Sequence, residues 1–278
     1  MKIEQRYDVV ILMSTYNGDN YIKELLNSLL IQTYKDWVLF IHDDGSQDAT
    51  NSIIDDYCCK YSNIQRIDIP ERLGAKESFL RMMMDVEANY YFFCDQDDIW
   101  KQDKVEKSLS LLKKMELRYK DAPLIIHSDL EVTDENLNIL STSFWKQSGI
   151  NINKLTTFNR LGAHNLVTGC TMVLNHRAKE TVVYPAPNAT MHDAWVSLCV
   201  LKNGGGIYGI EEPLIKYRQH SNNTLGVAHS QKRSLLYKMG SIKDVFNNNI
   251  KGYKMLKDLN YGTPFKYLFY KIIIALGF

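Results

Sequence analysis

The chain has 278 residues, 45% of them hydrophobic and 23% charged, and its formal net charge is +1. This length and composition are ordinary for a globular protein and suffice for one large α/β domain, with or without an appendage. Five cysteines without a C-x-x-C pair indicate reduced thiols of a cytosolic protein rather than a disulfide framework. We expect neither a signal segment nor a membrane-spanning helix, because no apolar stretch approaches the roughly 20 residues that a bilayer requires.

The first 120 residues alternate between short apolar runs and patterns of helical spacing. This alternation predicts an α/β fold with a mostly parallel, doubly wound central sheet. The predicted strands cover 9–13, 37–41, 64–69 and 90–94, and the predicted helices cover 21–30, 53–57, 79–86 and 105–115.

The second half follows a different pattern. Apolar runs at 124–127, 170–174 and 207–210 predict strands separated by irregular stretches, and helical spacing returns at 191–202. We therefore expect a mixed sheet with loops in this half. Beyond Gly226 the chain becomes basic and helical, which places a predicted boundary near residue 226.

The basic segment 231–278 carries nine Lys or Arg residues against two acids, a net charge of +7 that leaves −6 for the rest of the chain. Its cations alternate with apolar residues, as in helices that bind anionic membrane surfaces, where each cation contributes about 1 kcal/mol. The alternative is a pair of helices that pack on the main domain or form a dimer contact. Nucleic-acid binding is not expected, because base-reading modules are absent.

An acidic turn, Asp43-Asp44-Gly45-Ser46, follows the second predicted strand. Ligands of open α/β sheets bind at the carboxyl ends of the strands, where a carboxylate can accept hydrogen bonds from a base or a ribose. Tyr16, after the first strand, offers a flat face on which a base can stack. The turn indicates a nucleotide pocket, although taken alone it is more often an ordinary turn and helix cap.

Three more acids follow the fourth predicted strand, in Asp95-Gln96-Asp97-Asp98. On extended backbone, Asp95 and Asp97 would point to the same side. Mg²⁺ commonly uses one or two carboxylates and completes its coordination with water and phosphate oxygens. The pattern predicts a metal site for a diphosphate group, and the alternative is a solvated surface turn.

Together these motifs resemble family 2 glycosyltransferases of the GT-A fold, and the D-Q-D-D-I-W form is similar to bacterial rhamnosyltransferases of surface-polysaccharide pathways. The resemblance covers about residues 7–226. It implies a catalytic domain over 1–226, with a nucleotide-binding half over about 1–120 and an acceptor half over about 121–226, followed by the tail 227–278. It rests on the order and spacing of Thr15-Tyr16-Asn17-Gly18, Gln32-Thr33-Tyr34, Asp43-Asp44-Gly45-Ser46 and Asp95-Gln96-Asp97-Asp98-Ile99-Trp100.

The resemblance also implies roles for the residues of the first half. A divalent metal, Mn²⁺ or Mg²⁺, is expected at Asp95 and Asp97, with Asp98 as a close neighbour. The residues expected at the donor nucleotide are Thr15, Tyr16, Asp43 and Asp44.

Asp193 matches the position of the catalytic base in inverting members of the family. Its alternative role is to cap the helix that follows. His192 is expected to support it. The Y-R-x-H segment of the family closes over the diphosphate, which implies this role for Arg218 and His220.

The expected activity is metal-dependent, inverting transfer of a sugar from a nucleotide-diphospho-sugar to a glycan hydroxyl. The best match for the donor is dTDP-L-rhamnose, and a UDP-hexose is the alternative. The acceptor is expected to be a lipid-linked intermediate of bacterial surface polysaccharide, reached at the cytoplasmic face of the cell membrane. A nucleotidyltransferase and a non-catalytic nucleotide-binding scaffold are the two competing interpretations.

Overall fold

The computed structural model describes residues 3–149, 151–220 and 235–277, which form one nine-stranded sheet with helices on both faces. The strands are β1 (Ile3–Thr15), β2 (Val38–Asp43), β3 (Ile64–Arg66), β4 (Val86–Cys94), β5 (Ile99–Trp100), β6 (Leu124–Thr133), β7 (Ile139–Ser141), β8 (Met172–Asn175) and β9 (Gly206–Arg218). The helices are α1 (Ile22–Leu30), α2 (Thr50–Lys60), α3 (Ala75–Asp85), α4 (Lys104–Arg118), α5 (Phe144–Ser148), α6 (Phe158–Ala163), α7 (His176–Thr181), α8 (His192–Lys202), α9 (Leu235–Asp258) and α10 (Pro264–Ala275).

The strand order is β3-β2-β1-β4-β8-β6-β9-β5, and β7 pairs with β6. The first four of these strands are parallel, as predicted from their alternation with helices. β8 then runs antiparallel to both β4 and β6, and β6 pairs in parallel with β9. The predicted α/β fold is confirmed, with a parallel first half and a mixed second half.

Alternate residues of the central strand β1 enter two different hydrophobic cores, because successive side chains of a strand point to opposite faces. Val10 and Leu12 pack on the face covered by α3, α8 and the C-terminal helices. Val9 and Ile11 pack on the face covered by α1, α2 and α4. The resulting three layers hold the ends of the strands at fixed positions.

Several predicted boundaries differ from the structure, among them those of two elements in the first half. The strand predicted over 64–69 ends at Arg66, the last residue in register with β2, where it lies opposite Ile41. The helix predicted over 79–86 begins earlier, at Ala75, and Val86 instead starts β4 by pairing with Ile3.

The strand register brings the predicted motifs to one edge of the sheet. In the parallel pairs, Thr15 lies opposite Asp43 and Met13 lies opposite Cys94. The acidic turns that follow β2 and β4 therefore flank the loop that follows β1.

The C-terminal helices pack on the main domain. Leu256 and Tyr261 are buried against α6, where a Cβ on Gly162 would lie 2.8 Å from a side-chain carbon of each. The Met255 sulfur accepts hydrogen bonds at 3.4 Å from the backbone and hydroxyl of Thr190, just before α8. The predicted boundary near residue 226 lies outside the described residues. Within those residues, every helix is too short or too polar to cross a membrane.

Candidate active site

Asp43 organises the turn after β2. One of its carboxylate oxygens accepts hydrogen bonds from the hydroxyls of Thr15 (2.9 Å) and Ser46 (2.5 Å). The other accepts from the backbone of Ser46 at 2.8 Å and from the Asn51 amide at 3.1 Å. Burial alone would raise the pKa of Asp43, but these hydrogen bonds outweigh it and lower the pKa. Asp43 is thus an ionised anchor that joins β1 to the turn.

Asp44 anchors a different segment, the loop between β3 and α3. Its carboxylate accepts backbone hydrogen bonds from Leu73 at 2.6 Å and Gly74 at 2.9 Å. It is almost fully buried, with His42 at 3.6 Å on its inner side. Asp44 therefore fixes the loop that carries Arg72.

Arg72 stands over the ring of Tyr16, with its guanidinium carbon 4.3 Å from the ring centroid. Tyr16 is 40% exposed, so its ring is still open to solvent in part. Arg72 adds a cation to the predicted nucleotide pocket. Our sequence prediction omitted it, because a single loop arginine has no signature until its neighbours in space are known.

The acidic segment after β4 is bent. Gln96 and Asp97 form a turn, so the predicted alignment of Asp95 and Asp97 on extended backbone is wrong. The bend instead brings Asp95 near Asp98, and the Cys170 sulfur completes a group whose potential ligand atoms lie within 4.8 Å of one another.

The electrostatics of this acidic turn fit a hard divalent cation. Burial, together with the charges of Asp97 and Asp193, raises the pKa of Asp95 to about 7. Burial and its acidic neighbours also raise the pKa of Asp98 well above its ordinary value. Closely spaced carboxylates repel one another unless a cation lies between them, and oxygen is the ligand that Mg²⁺ prefers.

A buried lysine lies behind the acids. The Lys104 amine is 3.8 Å from the centroid of Trp100 and 4.9 Å from that of Phe92, and it has no hydrogen-bond partner among the described residues. Burial lowers the pKa of Lys104 to about 8, while the charge of Asp98 opposes the shift. In the sequence Lys104 is indistinguishable from a surface residue at a helix start.

His220 reaches the acidic turn from the end of β9. Its Nε2 lies 2.7 Å from the Asp97 carboxylate, and its ring stacks on Tyr21 at a centroid distance of 4.7 Å. The structure thus places His220 beside a predicted metal ligand.

Arg218 is buried under the same turn. Its Nε donates to the backbone carbonyl of Asp97 at 2.9 Å, and its backbone N–H donates to Asp98 at 3.3 Å. The remaining guanidinium nitrogens contact the carbonyl of Glu135 at 2.8 Å and form an ion pair with Glu24. In this arrangement Arg218 holds the turn, and a direct contact with a diphosphate stays a prediction.

Asp193 lies in the first turn of α8, which begins at His192 with Met191 as its N-cap. The N–H of Gly169 donates to one carboxylate oxygen at 3.1 Å, and that of Ala194 donates to the other at 2.5 Å. Burial raises the pKa of Asp193 to about 6, although both hydrogen bonds oppose the shift. Met191 rather than Asp193 is the N-cap residue of α8, although the Asp193 carboxylate accepts an N–H of the first turn. That carboxylate also lies close enough to Asp95 to raise the pKa of that residue.

His192 is a neutral, buried imidazole. Its ring centroid is 4.2 Å from that of Phe79 and 4.9 Å from that of Phe93. Burial lowers the pKa of His192 to about 3. A Cβ on Gly169 would lie 2.4 Å from Nε2 of His192, so a larger residue at that position would force the imidazole or the backbone to shift.

The family model for glycosyl transferase family 2 matches residues 10–173, which is more than half of the chain. The chain is also similar to dTDP-rhamnosyl transferase RfbG of Shigella flexneri, with 28% identity over 235 residues that cover 79% of this chain and 75% of that protein.

Two solved structures share the fold. TarS 1–349 of S. aureus in complex with UDP-GlcNAc gives a TM-score of 0.59 at 17% identity, with 80% of this chain but only 62% of that chain covered. The mannosyltransferase PcManGT of Pyrobaculum calidifontis in complex with GDP-Man and Mn²⁺ gives a TM-score of 0.58 at 12% identity, with 99% of this chain and 74% of that chain covered. On the strength of the family match, this chain belongs to glycosyl transferase family 2 and is a glycosyltransferase.

Proposed function

We propose that this glycosyltransferase is a metal-dependent, inverting enzyme that moves a sugar from a nucleotide-diphospho-sugar to a glycan hydroxyl. The preferred donor is dTDP-L-rhamnose, which the D-Q-D-D-I-W motif and the likeness to a dTDP-rhamnosyl transferase support. A UDP-hexose is the alternative donor, supported by the shared fold of a protein solved with UDP-GlcNAc.

The observation that carries the proposal is the setting of Asp193. Its carboxylate is held by two backbone N–H groups beside the acidic turn, and burial raises its pKa to about 6. A general base is most effective when its pKa lies near the working pH and its position is fixed. Both conditions favour Asp193 as the group that takes the proton from the acceptor hydroxyl.

The proposed step is a single in-line displacement. The acceptor oxygen forms a bond to the anomeric carbon while the bond from that carbon to the diphosphate oxygen breaks. The hydroxyl proton passes to Asp193, and the electron pair of the broken bond leaves with the diphosphate. Attack opposite the leaving group inverts the configuration at the anomeric carbon.

The donor nucleotide is proposed to lie against the loop after β1. Tyr16 presents its ring to the base, and Arg72 supplies the neighbouring cation. Thr15, Asp43 and Asp44 are proposed to serve the nucleotide by ordering this pocket, because their polar groups bind the surrounding backbone and side chains.

Asp95 and Asp97 are proposed to hold Mn²⁺ or Mg²⁺, with Asp98 beside them and His220 at Asp97. A bound divalent ion would neutralise charge that develops on the leaving diphosphate. A protein of the same fold was solved with Mn²⁺, which supports the choice of metal. His220 and Arg218 are proposed to shape the diphosphate side of the site, and His192 to keep the space behind Asp193 apolar.

The acceptor is proposed to be a lipid-linked glycan at the cytoplasmic face of the cell membrane. One face of α10 and its C-terminal end leave large apolar side chains exposed, spaced three or four residues apart, and contiguous exposed apolar surface marks an interaction site. Lys251, Lys254 and Lys257 of α9 are exposed and supply positive charge in the same tail, as binding to anionic lipid requires. The exposed residues are Phe265 (84% exposed), Leu268 (49%), Phe269 (58%) and Ile272 (59%) of α10 and Leu276 (66%) just after it.

The test is a donor panel of dTDP-L-rhamnose, UDP-glucose, UDP-galactose and UDP-GlcNAc, each with Mn²⁺ or with EDTA. We expect thermal stabilisation and slow nucleotide release with one donor, in the presence of metal only. A ligand at about 100 times its dissociation constant stabilises by about 2.7 kcal/mol, which is readily measured. Stabilisation without any release or transfer would support the non-catalytic scaffold, and an absence of any effect would contradict the proposal.

A further inference from the structure

Gln96 reaches out of the acidic turn and binds the backbone of Tyr16. Its carboxamide oxygen accepts the Tyr16 N–H at 2.9 Å, and its amide nitrogen donates to the Tyr16 carbonyl at 3.0 Å. The side chain thus satisfies both backbone groups of one residue, as a neighbouring strand does in a β-ladder. The two residues are 80 positions apart in the chain.

Gly18 makes room for this contact. A Cβ at Gly18 would lie 2.4 Å from the carboxamide oxygen of Gln96 and 2.6 Å from its carbon. Such distances are far shorter than a van der Waals contact, so a larger residue would displace the carboxamide. The glycine of the T-Y-N-G segment therefore has a specific partner in the acidic turn.

The contact links the loop after β1, proposed to bind the nucleotide, to the turn after β4, proposed to bind the metal. β1 and β4 are neighbours in the sheet, so the loop after β1 and the turn after β4 lie side by side. The charge of Asp97 acts on Asp95, whereas Gln96 between them binds the nucleotide loop. One turn thus carries both the proposed metal ligands and the support for Tyr16.

We propose that Gln96 is a positioning residue that sets the base-binding loop from within the metal-binding turn. This inference rests on the proposed function, because it takes Tyr16 as the contact for the base. Gln96 acts through Tyr16 and touches neither the metal nor the reacting atoms. Its loss lets the loop move, so the nucleotide binds more weakly even when no metal is present.

The test compares Gln96→Met in EDTA with Gln147→Met, a matched change at an exposed glutamine of α5. Methionine keeps the length of the side chain but cannot replace the paired hydrogen bonds. We expect the dissociation constants of dTDP and UDP, measured by calorimetry, to rise about 5-fold or more in Gln96→Met, as the loss of one or two hydrogen bonds implies. In Gln147→Met they should stay within about twofold of wild type, because that side chain lies outside the proposed site.

Kinetics with Mn²⁺ provide a readout that general damage to the fold would not give. Gln96→Met should raise the KM for the donor and leave kcat within about twofold, since the reacting groups are untouched. A fall in kcat with unchanged KM would overturn the proposal. A thermal unfolding midpoint close to that of wild type confirms that the variant is folded.

Gly18→Ala gives an independent test of the same contact. In the wild-type background it should weaken nucleotide binding as much as Gln96→Met, because it expels the carboxamide. In a Gln96→Ala background it should have little further effect, so the two changes are not additive. Additive effects of Gly18→Ala and Gln96→Ala, or unchanged nucleotide binding in Gln96→Met, would overturn the proposed role of Gln96. Neither result would contradict the proposed function. If the wild-type protein binds neither nucleotide with or without Mn²⁺, the proposed function fails and this inference fails with it.

Discussion

The backbone N–H of Gly169 donates a hydrogen bond to Asp193 at 3.1 Å across 24 residues of sequence. It ties the turn before β8 to the first turn of α8, and so sets the direction of the proposed base. The same glycine lies against His192, where a Cβ would come within 2.4 Å of Nε2. One small residue thus positions Asp193 and leaves room for the imidazole beneath it.

Gly169→Ala should therefore impair both stability and catalysis. The added methyl overpacks a buried site, which typically costs about 1–3 kcal/mol, and it shifts the N–H away from Asp193. We expect a lower unfolding midpoint and a lower kcat, with a nearly unchanged donor KM. Combining it with His192→Ala should recover part of the stability, because the clash is removed. Wild-type stability and turnover in Gly169→Ala would show that the close approach is unimportant.

The raised pKa of Asp193 predicts a pH-dependent effect on stability. A carboxyl whose pKa is higher in the folded than in the unfolded state destabilises the fold once it ionises. Wild type bears this cost increasingly as the pH rises from about 4 through about 6, and Asp193→Asn does not. The free energy of unfolding of Asp193→Asn relative to wild type should thus increase between pH 5 and pH 8, on the order of 1–2 kcal/mol. A constant difference across this range would mean that Asp193 is not desolvated.

The lowered pKa of Lys104 predicts that the stability of the fold also depends on pH in a higher range. Burial lowers its pKa to about 8, so the folded state releases its proton before the unfolded state does. Wild type should gain stability as the pH rises from about 8 to about 10, and Lys104→Met should not. In thermal unfolding, the midpoint of Lys104→Met minus that of wild type should therefore decrease as the pH rises over this range. A matched exposed lysine, Lys254→Met, should show no such trend.

The apolar face of α10 predicts how the tail meets a membrane. Phe265→Ser combined with Phe269→Ser should reduce binding to vesicles that contain anionic lipid, in a cosedimentation assay, by about 10-fold or more. Leu117→Ser, at an 82% exposed position on α4, is the matched control and should bind as wild type does. Equal binding of both variants would argue that the exposed face of α10 serves another purpose.

Much of the fold followed from local pattern. Continuous apolar runs predicted the central strands, because strands covered on both faces contain few polar residues. The acids after β2 and β4 were recognisable as site residues since the carboxyl ends of parallel strands meet at one edge. The bend at Gln96 and Asp97 was not predictable, because a short acidic segment has no period that separates a turn from extended backbone.

The site residues that the sequence prediction missed are those whose roles depend on partners far away in the chain. Gln96 is only a spacer in D-Q-D-D until Tyr16 lies beside it. Arg72 acquires its position through Asp44, and Lys104 through the two aromatic rings that enclose its amine. Such contacts depend on which strands are neighbours, and the chain order alone does not specify that.

The most direct test of the central claim is the turnover of Asp193→Asn with the donor that wild type uses. The account predicts a kcat at least about 100-fold lower, as the loss of a general base implies, with nucleotide binding within about twofold of wild type. Asp56→Asn, an exposed acid on α2, is the control and should retain normal turnover. Near-normal turnover of Asp193→Asn would contradict the assignment of Asp193 as the base.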